Sequence, residues 1–172
     1  GAGGRDLMEG GNGNDVYVTD GLDRIVEAVG AGIDTVRSYV TMALGANLEN
    51  LTLIGGGVQY GSGNGLANRL TGNAHANLLN GYGGNDTLFG GGGADNFVFQ
   101  SGRDVILDFQ DNIDSLRIDD VLWGGGPRSV GQVLQYADLI GGNAVFTFAN
   151  GHSLTVNGVA NLAALHDDLT II

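Results

Sequence analysis

A glycine-rich phrase of nine residues recurs along the chain and constrains the fold more than any other feature. Residues 81–98 read GYGGNDTLFGGGGADNFV, two copies of the form G-x-G-G-x-D-x-apolar-x set end to end. Counted from Gly63, five successive copies hold Asn or Asp at the sixth place and a large apolar residue at the eighth. Agreement at both places in every copy is far from chance, so the chain has an internal repeat of period nine.

The same phrase occurs near the N-terminus, in GAGGRDLME at residues 1–9 and GGNGNDVYV at residues 10–18. Two looser copies follow around Asp23 and Asp34. Residues 38–62 keep an alternation of apolar and polar residues but lack the repeated carboxylate. We interpret this stretch as a degenerate insert that continues the same coil.

Each copy predicts a turn followed by a short strand. Six residues rich in Gly, Asn and Asp are typical of a turn, and three residues with an apolar centre are typical of a strand. Two such units complete a coil of eighteen residues whose eighth-place side chains stack inward. The predicted fold is all-β: a right-handed parallel β-roll (a β-solenoid of nonapeptide repeats) over residues 1–107, closed by a small β-rich C-terminal cap over residues 108–172.

The C-terminal third predicts a different local structure, because glycine becomes less frequent after residue 120. A short helix is expected over residues 129–137 with Ser129 as its N-cap, and a second one after Asn161. Residues 144–157 predict a β-hairpin with Asn150-Gly151 as its turn. Because an open solenoid end invites strand addition, we expect this region to cap the roll.

Stacking the repeats brings like charges together and predicts a cation between them. Strands lie ~4.8 Å apart in a sheet, and two carboxylates at ~5 Å repel by ~3 kcal/mol at an effective dielectric constant near 20. Of the 19 acidic residues, 16 are Asp, which suits tight turns and hard cations. Calcium prefers carboxylate and carbonyl oxygens, which Asp side chains and glycine turns supply.

Composition excludes several other classes of function. A net charge of −12 argues against nucleic acid and anionic membrane surfaces as partners. No apolar run approaches ~18 residues, so membrane insertion is not expected. The chain has no Cys, its three His are isolated, and no H-E-x-x-H or phosphate-binding loop occurs. This stretch is therefore expected to hold no catalytic site, although the full-length protein could be an enzyme.

The phrases GGNGNDVYV and GGGGADNFV resemble the nonapeptide of the RTX (hemolysin-type) calcium-binding proteins. Residues 102–119 and 144–159 resemble the segments that close the roll in serralysin-type proteases and other type I-secreted exoproteins, and the final DDLTII resembles their terminal secretion signal. The resemblance implies about two to four calcium ions and a secreted, extracellular protein. It also implies the type I secretion apparatus as a partner during export, and an upstream catalytic or adhesin domain.

The resemblance also implies a set of ligands, with each turn donating backbone carbonyls and its Asp while the turn two copies on completes the cage. It predicts four side-chain pairs and one further ligand: Asp86 with Asp104, Asp95 with Asn77, Asp15 with Asp34, Asp6 with Asp23, and Asp111. The turn residues carried over are Gly10, Asn12, Gly13, Gly30, Gly32, Gly81, Gly83, Gly84, Gly90, Gly92, Gly93 and Gly102. Because Asn68 and Asn77 are neutral, copies 63–80 are expected to bind calcium weakly or to stack without it.

Two functions follow from these patterns. Ordering a glycine turn costs ~1–2 kcal/mol per residue in backbone entropy, and repulsion among the Asp residues adds to that cost. The first prediction is therefore a calcium-binding module that folds outside the cell and carries a C-terminal type I secretion signal. The alternative is an accessory glycan-binding or scaffold module of a polysaccharide-modifying enzyme of the epimerase or lyase type.

Overall fold

Short strands separated by tight turns make up nearly the whole fold. The computed structural model describes residues 3–172, so Gly1 and Ala2, the first two places of the first repeat, lie outside the described residues. The first twelve strands are β1 (Leu7–Glu9), β2 (Val16–Thr19), β3 (Arg24–Val26), β4 (Thr35–Ser38), β5 (Met42–Ala43), β6 (Asn50–Leu53), β7 (Gln59–Ser62), β8 (Arg69–Thr71), β9 (Asn77–Asn80), β10 (Thr87–Phe89), β11 (Asn96–Phe99) and β12 (Arg103–Ile106).

The last five strands are β13 (Ser115–Ile118), β14 (Ala137–Ile140), β15 (Asn143–Thr147), β16 (Ser153–Asn157) and β17 (Leu169–Ile171). Nine strands form one sheet in the order β14-β15-β16-β12-β10-β8-β6-β4-β2, six form a second in the order β17-β13-β11-β9-β7-β5, and β1 pairs with β3. From β4 to β13, successive strands alternate between the two larger sheets and pair in parallel. The predicted parallel β-solenoid is therefore confirmed.

The register follows the repeat. Thr87 is aligned with Arg69 on one side and with Val105 on the other, a step of 18 residues in each direction. Such a step brings the same place of every second copy to the same height, so the sixth-place and eighth-place residues each stack in a column. The period of nine in the sequence thus fixes which side chains lie between the sheets and which lie at the edges.

The core is a stack of eighth-place side chains between the two large sheets. Leu70, Leu79, Leu88, Phe97 and Ile106 are each at most 1% exposed. Full burial of such a side chain contributes ~1.5–3 kcal/mol. The predicted inward stacking of the eighth place is confirmed, and this column supplies the apolar stabilisation that the glycine turns lack.

The degenerate stretch at residues 38–62 continues both sheets. Leu51 on β6 is aligned with Val36 on β4 and with Leu70 on β8, so it joins the inward column. The step from β4 to β6 is 15 residues instead of 18, because Thr35 is aligned with Asn50. A shorter coil is tolerated here since the eighth-place column stays in register.

The C-terminal region extends the sheets beyond residue 107 and adds a small meander. Helix α1 (Val130–Val133) begins after Ser129, whose hydroxyl accepts the Gln132 N–H, and a 3-10 turn follows to Tyr136. A further 3-10 helix, Leu162–His166, is capped by the side chain of Asn161. No helix among residues 3–172 is long and apolar enough to cross a bilayer.

The predicted hairpin forms as β15 and β16, with the left-handed residues Asn150 and Gly151 at its turn. Strand β14, which the sequence did not predict, adds to β15 across a second turn. Strand β16 lies parallel to β12, and β17 lies parallel to β13. The C-terminal region therefore closes the roll by continuing its sheets.

Candidate metal centres

Sixth-place carboxylates form a ladder of hydrogen bonds through stacked turns. In each rung, one side-chain oxygen accepts the backbone N–H of the sixth-place residue one coil earlier. The N–H of Asn68 donates to Asp86 Oδ1 at 2.7 Å, and the N–H of Asp86 donates to Asp104 Oδ1 at 2.9 Å. In the alternate turns, the N–H of Asn77 donates to Asp95 Oδ1 at 2.7 Å. Each carboxylate is thereby fixed by one oxygen.

The N-terminal copies repeat this arrangement despite their irregular spacing. The N–H of Asp15 donates to Asp34 Oδ1 at 2.8 Å, and the N–H of Asp6 donates to Asp23 Oδ1 at 3.1 Å. The Asp6 N–H is the main reason that the pKa of Asp23 lies below its ordinary value. The structure thus places the two residues of each predicted pair on stacked turns, joined by a backbone N–H and a carboxylate oxygen.

Five carboxylates of the repeats have a buried oxygen without a partner. The Oδ2 atoms of Asp6, Asp15, Asp34, Asp86 and Asp95 are buried and accept no hydrogen bond from the described residues. A buried charged oxygen without a partner costs several kcal/mol, and buried charges in proteins are paired or bind metals. Five such atoms in equivalent places of one repeat indicate that these oxygens bind a cation and not a protein donor.

First-place glycines make room beside these oxygens. A Cβ added at Gly81 would collide with Asp86 Oδ2, and one added at Gly90 would collide with Asp95 Oδ2. A third glycine, Gly84, has a φ of +112°, and a Cβ there would strike the Leu66 carbonyl of the turn below. Any side chain at these glycines would fill the space beside the carboxylate oxygen or push the stacked turns apart. The donor set and the space both fit calcium, which prefers carboxylate and carbonyl oxygens.

The turns that carry the predicted carbonyl ligands stack directly on one another. The N–H of Gly13 donates to the Ala31 carbonyl at 2.7 Å, and the N–H of Gly92 donates to the Asn73 carbonyl at 3.1 Å. The predicted backbone ligands lie in these turns or in their neighbours: Gly10, Asn12, Gly13, Gly30, Gly32, Gly81, Gly83, Gly84, Gly90, Gly92, Gly93 and Gly102.

Burial perturbs the carboxylates of the C-terminal rungs. It raises the pKa of Asp86 and of Asp95 to about 6, and that of Asp104 to about 7. For Asp104, the nearby charge of Asp86 raises the pKa further, whereas the Asp86 N–H lowers it. A bound cation would oppose both the desolvation and the repulsion, so protons and calcium compete for these sites.

A third acidic residue joins the Asp15–Asp34 pair. Asp15, Glu27 and Asp34 each offer a carboxylate oxygen, and the three oxygens lie within 4.8 Å of one another. Glu27 is 8% exposed and accepts a hydrogen bond from the Tyr17 hydroxyl. The sequence did not predict Glu27, because it lies outside the nonapeptide. The only signal was its position as one of three Glu in a chain that otherwise uses Asp.

Neutral copies satisfy their own side chains. Asn68 Oδ1 accepts the Asn64 N–H at 2.7 Å, and its Nδ2 donates to the Glu49 carbonyl at 3.1 Å. Asn77 behaves alike, with Oδ1 accepting the Asn73 N–H at 2.7 Å. The Asn side chain is neutral and carries its own hydrogen-bond donor, so it does not need the cation that a buried carboxylate needs. Of the two alternatives expected for copies 63–80, weak calcium binding or stacking without calcium, this arrangement favours the second.

Asp111, the further ligand that the resemblance implies, is exposed. Two neighbouring carboxylates bind the stacked turns directly. Asp114 Oδ1 accepts the Asp95 N–H at 2.9 Å, while the two oxygens of Asp108 accept the N–H groups of Gly90 and Gly91, both at 2.8 Å. One extra residue between the copies places Asp114 outside the nine-residue period. The signal that could have found it is Asp-x-Leu at residues 114–116.

Comparison with known proteins agrees with this geometry. The model of the RTX calcium-binding nonapeptide repeat matches four copies, at residues 1–25 and 62–106. Two similar proteins come from Rhizobium meliloti (strain 1021). Endo-1,3-1,4-beta-glycanase ExsH is 43% identical over 51 residues, 29% of this chain and 11% of the glycanase. Endo-1,3-1,4-beta-glycanase EglC is 51% identical over 106 residues, 59% of this chain and 22% of the glycanase.

Proposed function

Because this chain carries RTX calcium-binding nonapeptide repeats, we propose that it is a module that folds on calcium after export from the cell. Calcium binding is the property of the repeat; the dependence of folding on calcium and the place of folding are the proposal. The observation that carries it is the set of five buried Oδ2 atoms without a partner in stacked turns. A chain with that many uncompensated carboxylates gains most of its order when a cation is supplied.

The geometry supports up to four ion sites. They are centred on Asp6 with Asp23, on Asp15 with Glu27 and Asp34, on Asp86 with Asp104, and on Asp95 with Asp114. When bound, calcium supplies the positive charge that these pairs lack. The chain's own contribution is to fix carboxylates of the sites through backbone N–H groups. In Asp34, Asp86 and Asp95, one oxygen accepts such an N–H and the other stays without a partner.

The expected energies are large enough to control folding. Extracellular-type sites bind calcium with Kd near 10⁻⁴–10⁻³ M, and at ten times Kd each site contributes about 1.4 kcal/mol. Four sites then contribute about 6 kcal/mol, comparable to the whole stability of a typical domain. The roll would be loose in a calcium-poor cytoplasm and folded in millimolar calcium.

The C-terminal segment fits export before folding. The proposed secretion signal, DDLTII at residues 167–172, contains strand β17, which pairs with β13. Leu169 is 4% exposed and Asp168 Oδ2 accepts the Asn112 N–H at 3.0 Å. A transporter that reads this segment would meet it only in the unfolded chain. We therefore include the type I secretion apparatus as a partner during export, and an extracellular location afterwards.

A second candidate function rests on the names of the two relatives. Both are called endo-1,3-1,4-beta-glycanases, and the matched segments span about a fifth of their length or less. The repeats could therefore accompany a catalytic domain that acts on polysaccharide, with no catalytic site in this stretch. Adding or deleting residues 1–172 beside such a domain, and measuring hydrolysis of soluble and insoluble 1,3-1,4-β-glucan, would test an accessory role.

The main proposal is tested by far-ultraviolet circular dichroism during a calcium titration of residues 1–172. We expect a rise in β content at millimolar calcium, reversed by chelator and not reproduced by the same concentration of magnesium, which demands stricter octahedral geometry. Equal β content in calcium and in excess chelator would refute calcium-dependent folding. Isothermal calorimetry on the same sample would count the ions.

A further inference from the structure

The outer face of the nine-stranded sheet has a charge opposite to that of the whole protein. We call the outward side chains of β2, β4, β6, β8, β10 and β12 the arginine face. These six strands contain three Arg and one acidic residue, Asp104, which is 2% exposed. In a chain with a net charge of −12, the arginine face is therefore a basic surface without an exposed carboxylate.

The three arginines are regularly spaced. Arg37 lies on β4, Arg69 on β8 and Arg103 on β12, so one exposed guanidinium occurs on every second strand of the sheet. Because strands lie 4.7–4.9 Å apart, successive arginines are offset by about 10 Å across the strands. The register also sets Arg37 two residues beyond the row of Arg69 and Arg103 two residues before it, an offset of about 7 Å along the strands. The three arginines therefore lie on a diagonal at steps of about 12 Å, and an acidic polysaccharide with one carboxylate per disaccharide carries its charges at comparable intervals.

Hydroxyl and amide groups fill the surface between the arginines. The register places Thr35, Asn50, Arg69 and Thr87 in one row, and a parallel row contains Thr52 and Thr71. Around Arg69, a shallow depression is lined by side chains of both rows. Asn50 Nδ2 donates to the Asp34 carbonyl at 3.1 Å and to Thr35 Oγ1 at 3.3 Å, which holds this part of the surface in place.

We propose that the arginine face binds a linear acidic polysaccharide that runs diagonally across the strands, with its carboxylates on Arg69 and the neighbouring arginines. A planar guanidinium can bind a carboxylate through two parallel hydrogen bonds, and the threonine and asparagine rows can bind sugar hydroxyls. Half-exposed Phe89 on β10 offers an apolar ring for the face of a sugar. The face exists only in the folded roll, so the inference rests on the proposed calcium-dependent folding.

Charge density favours a polysaccharide over nucleic acid. A nucleic acid strand carries one phosphate per ~3.4 Å, so arginines at steps of about 12 Å would meet only every third or fourth phosphate. The unpaired phosphates would face a protein whose other surfaces are strongly acidic. A polymer with sparse carboxylates matches the arginine spacing and avoids that repulsion.

The test uses residues 1–172 in millimolar calcium and short fragments of hyaluronan, which has one carboxylate per disaccharide and neutral sugars between. Binding is measured by calorimetry or fluorescence anisotropy, with neutral 1,3-1,4-β-glucan and oligo(dT) as parallel probes. The variants are Arg69→Gln and the double variant Arg37→Gln/Arg69→Gln. The matched control is Arg117→Gln, an identical charge change on β13 of the other large sheet.

We expect salt-sensitive binding of hyaluronan that weakens roughly tenfold in the double variant, which corresponds to two exposed ion pairs of about 0.7 kcal/mol each. Binding should be unchanged in Arg117→Gln. Equal weakening in the control, or no binding of hyaluronan by folded protein, would overturn the inference. Preference for oligo(dT), or a change of oligomeric state in the arginine variants, would also overturn it in favour of nucleic acid or a second copy. Circular dichroism of each sample in calcium separates these outcomes from failure to fold.

Discussion

Replacing Asp86 with Asn converts a charged rung of the ladder into the neutral type found at Asn68 and Asn77. The side chain keeps its size, and its oxygen can still accept the Asn68 N–H that Asp86 accepts at 2.7 Å. The change removes the buried Oδ2 charge that has no partner. The substitution should therefore remove calcium binding at this pair while leaving the turn intact.

The expected magnitudes have opposite signs with and without calcium. Without calcium, the variant loses the repulsion between Asp86 and Asp104, which is at most ~3 kcal/mol for charges ~5 Å apart at an effective dielectric constant near 20. With calcium at ten times Kd, it loses about 1.4 kcal/mol of binding energy. The calcium-induced rise in Tm should shrink by roughly 3–6 °C, since 1 kcal/mol corresponds to about 2–4 °C for a chain of this size.

Thermal unfolding followed by circular dichroism at several calcium concentrations measures this difference, and calorimetry should count one ion fewer. The control is Asp138→Asn, which makes the same charge change at an exposed place on β14. If Asp86→Asn bound as many ions as the wild type and showed the same calcium-induced rise in Tm, the unpaired oxygens would not be ligands. The reasoning about the whole ladder would then fail.

Four other outcomes can be measured on the same protein. Leu88→Ala should cost about 2–5 kcal/mol in calcium, by urea unfolding, because Leu88 is 1% exposed in the core column. Gly84→Ala should lower Tm at every calcium concentration, since φ is +112° and the new Cβ meets a backbone carbonyl. The pKa of Asp104 is about 7 in the fold and 3.8 ordinarily, so the folded state binds this proton more tightly. The metal-free roll should gain β content as the pH is lowered from 8 to 5 and lose it as the pH is raised through about 7. Calcium affinity should decrease as the pH is lowered, because protons compete for the same carboxylates. Asp114→Asn should weaken calcium binding whereas Asp111→Asn should not, as calorimetry of the two variants would show.

Much of this fold follows from the sequence because a strict period leaves little freedom. Once the sixth and eighth places repeat every nine residues, parallel strands in register bury Leu79 and Phe97 and stack the carboxylates. The parts that could not be predicted are those where the period breaks. Asp114 lies one residue out of frame, and Glu27 reaches Asp15 and Asp34 only through the tertiary fold. Strand β14 depends on its neighbour β15 and has no repeat to reveal it.

The ladder divides the roll into segments with different requirements. In the middle coils, amide side chains supply both donor and acceptor, as when Asn64 Nδ2 donates to the Gly45 carbonyl at 2.8 Å and Asn73 Nδ2 donates to the Gly55 carbonyl at 2.9 Å. Toward both ends, carboxylates accept hydrogen bonds but leave an oxygen unpaired. Since a solenoid is stabilised by contacts between neighbouring coils, a neutral centre can keep the register while charged ends stay open. In the calcium-dependent folding that we propose, calcium therefore acts on the two ends of the same column, and the neutral copies are the part of the roll that keeps its register without it.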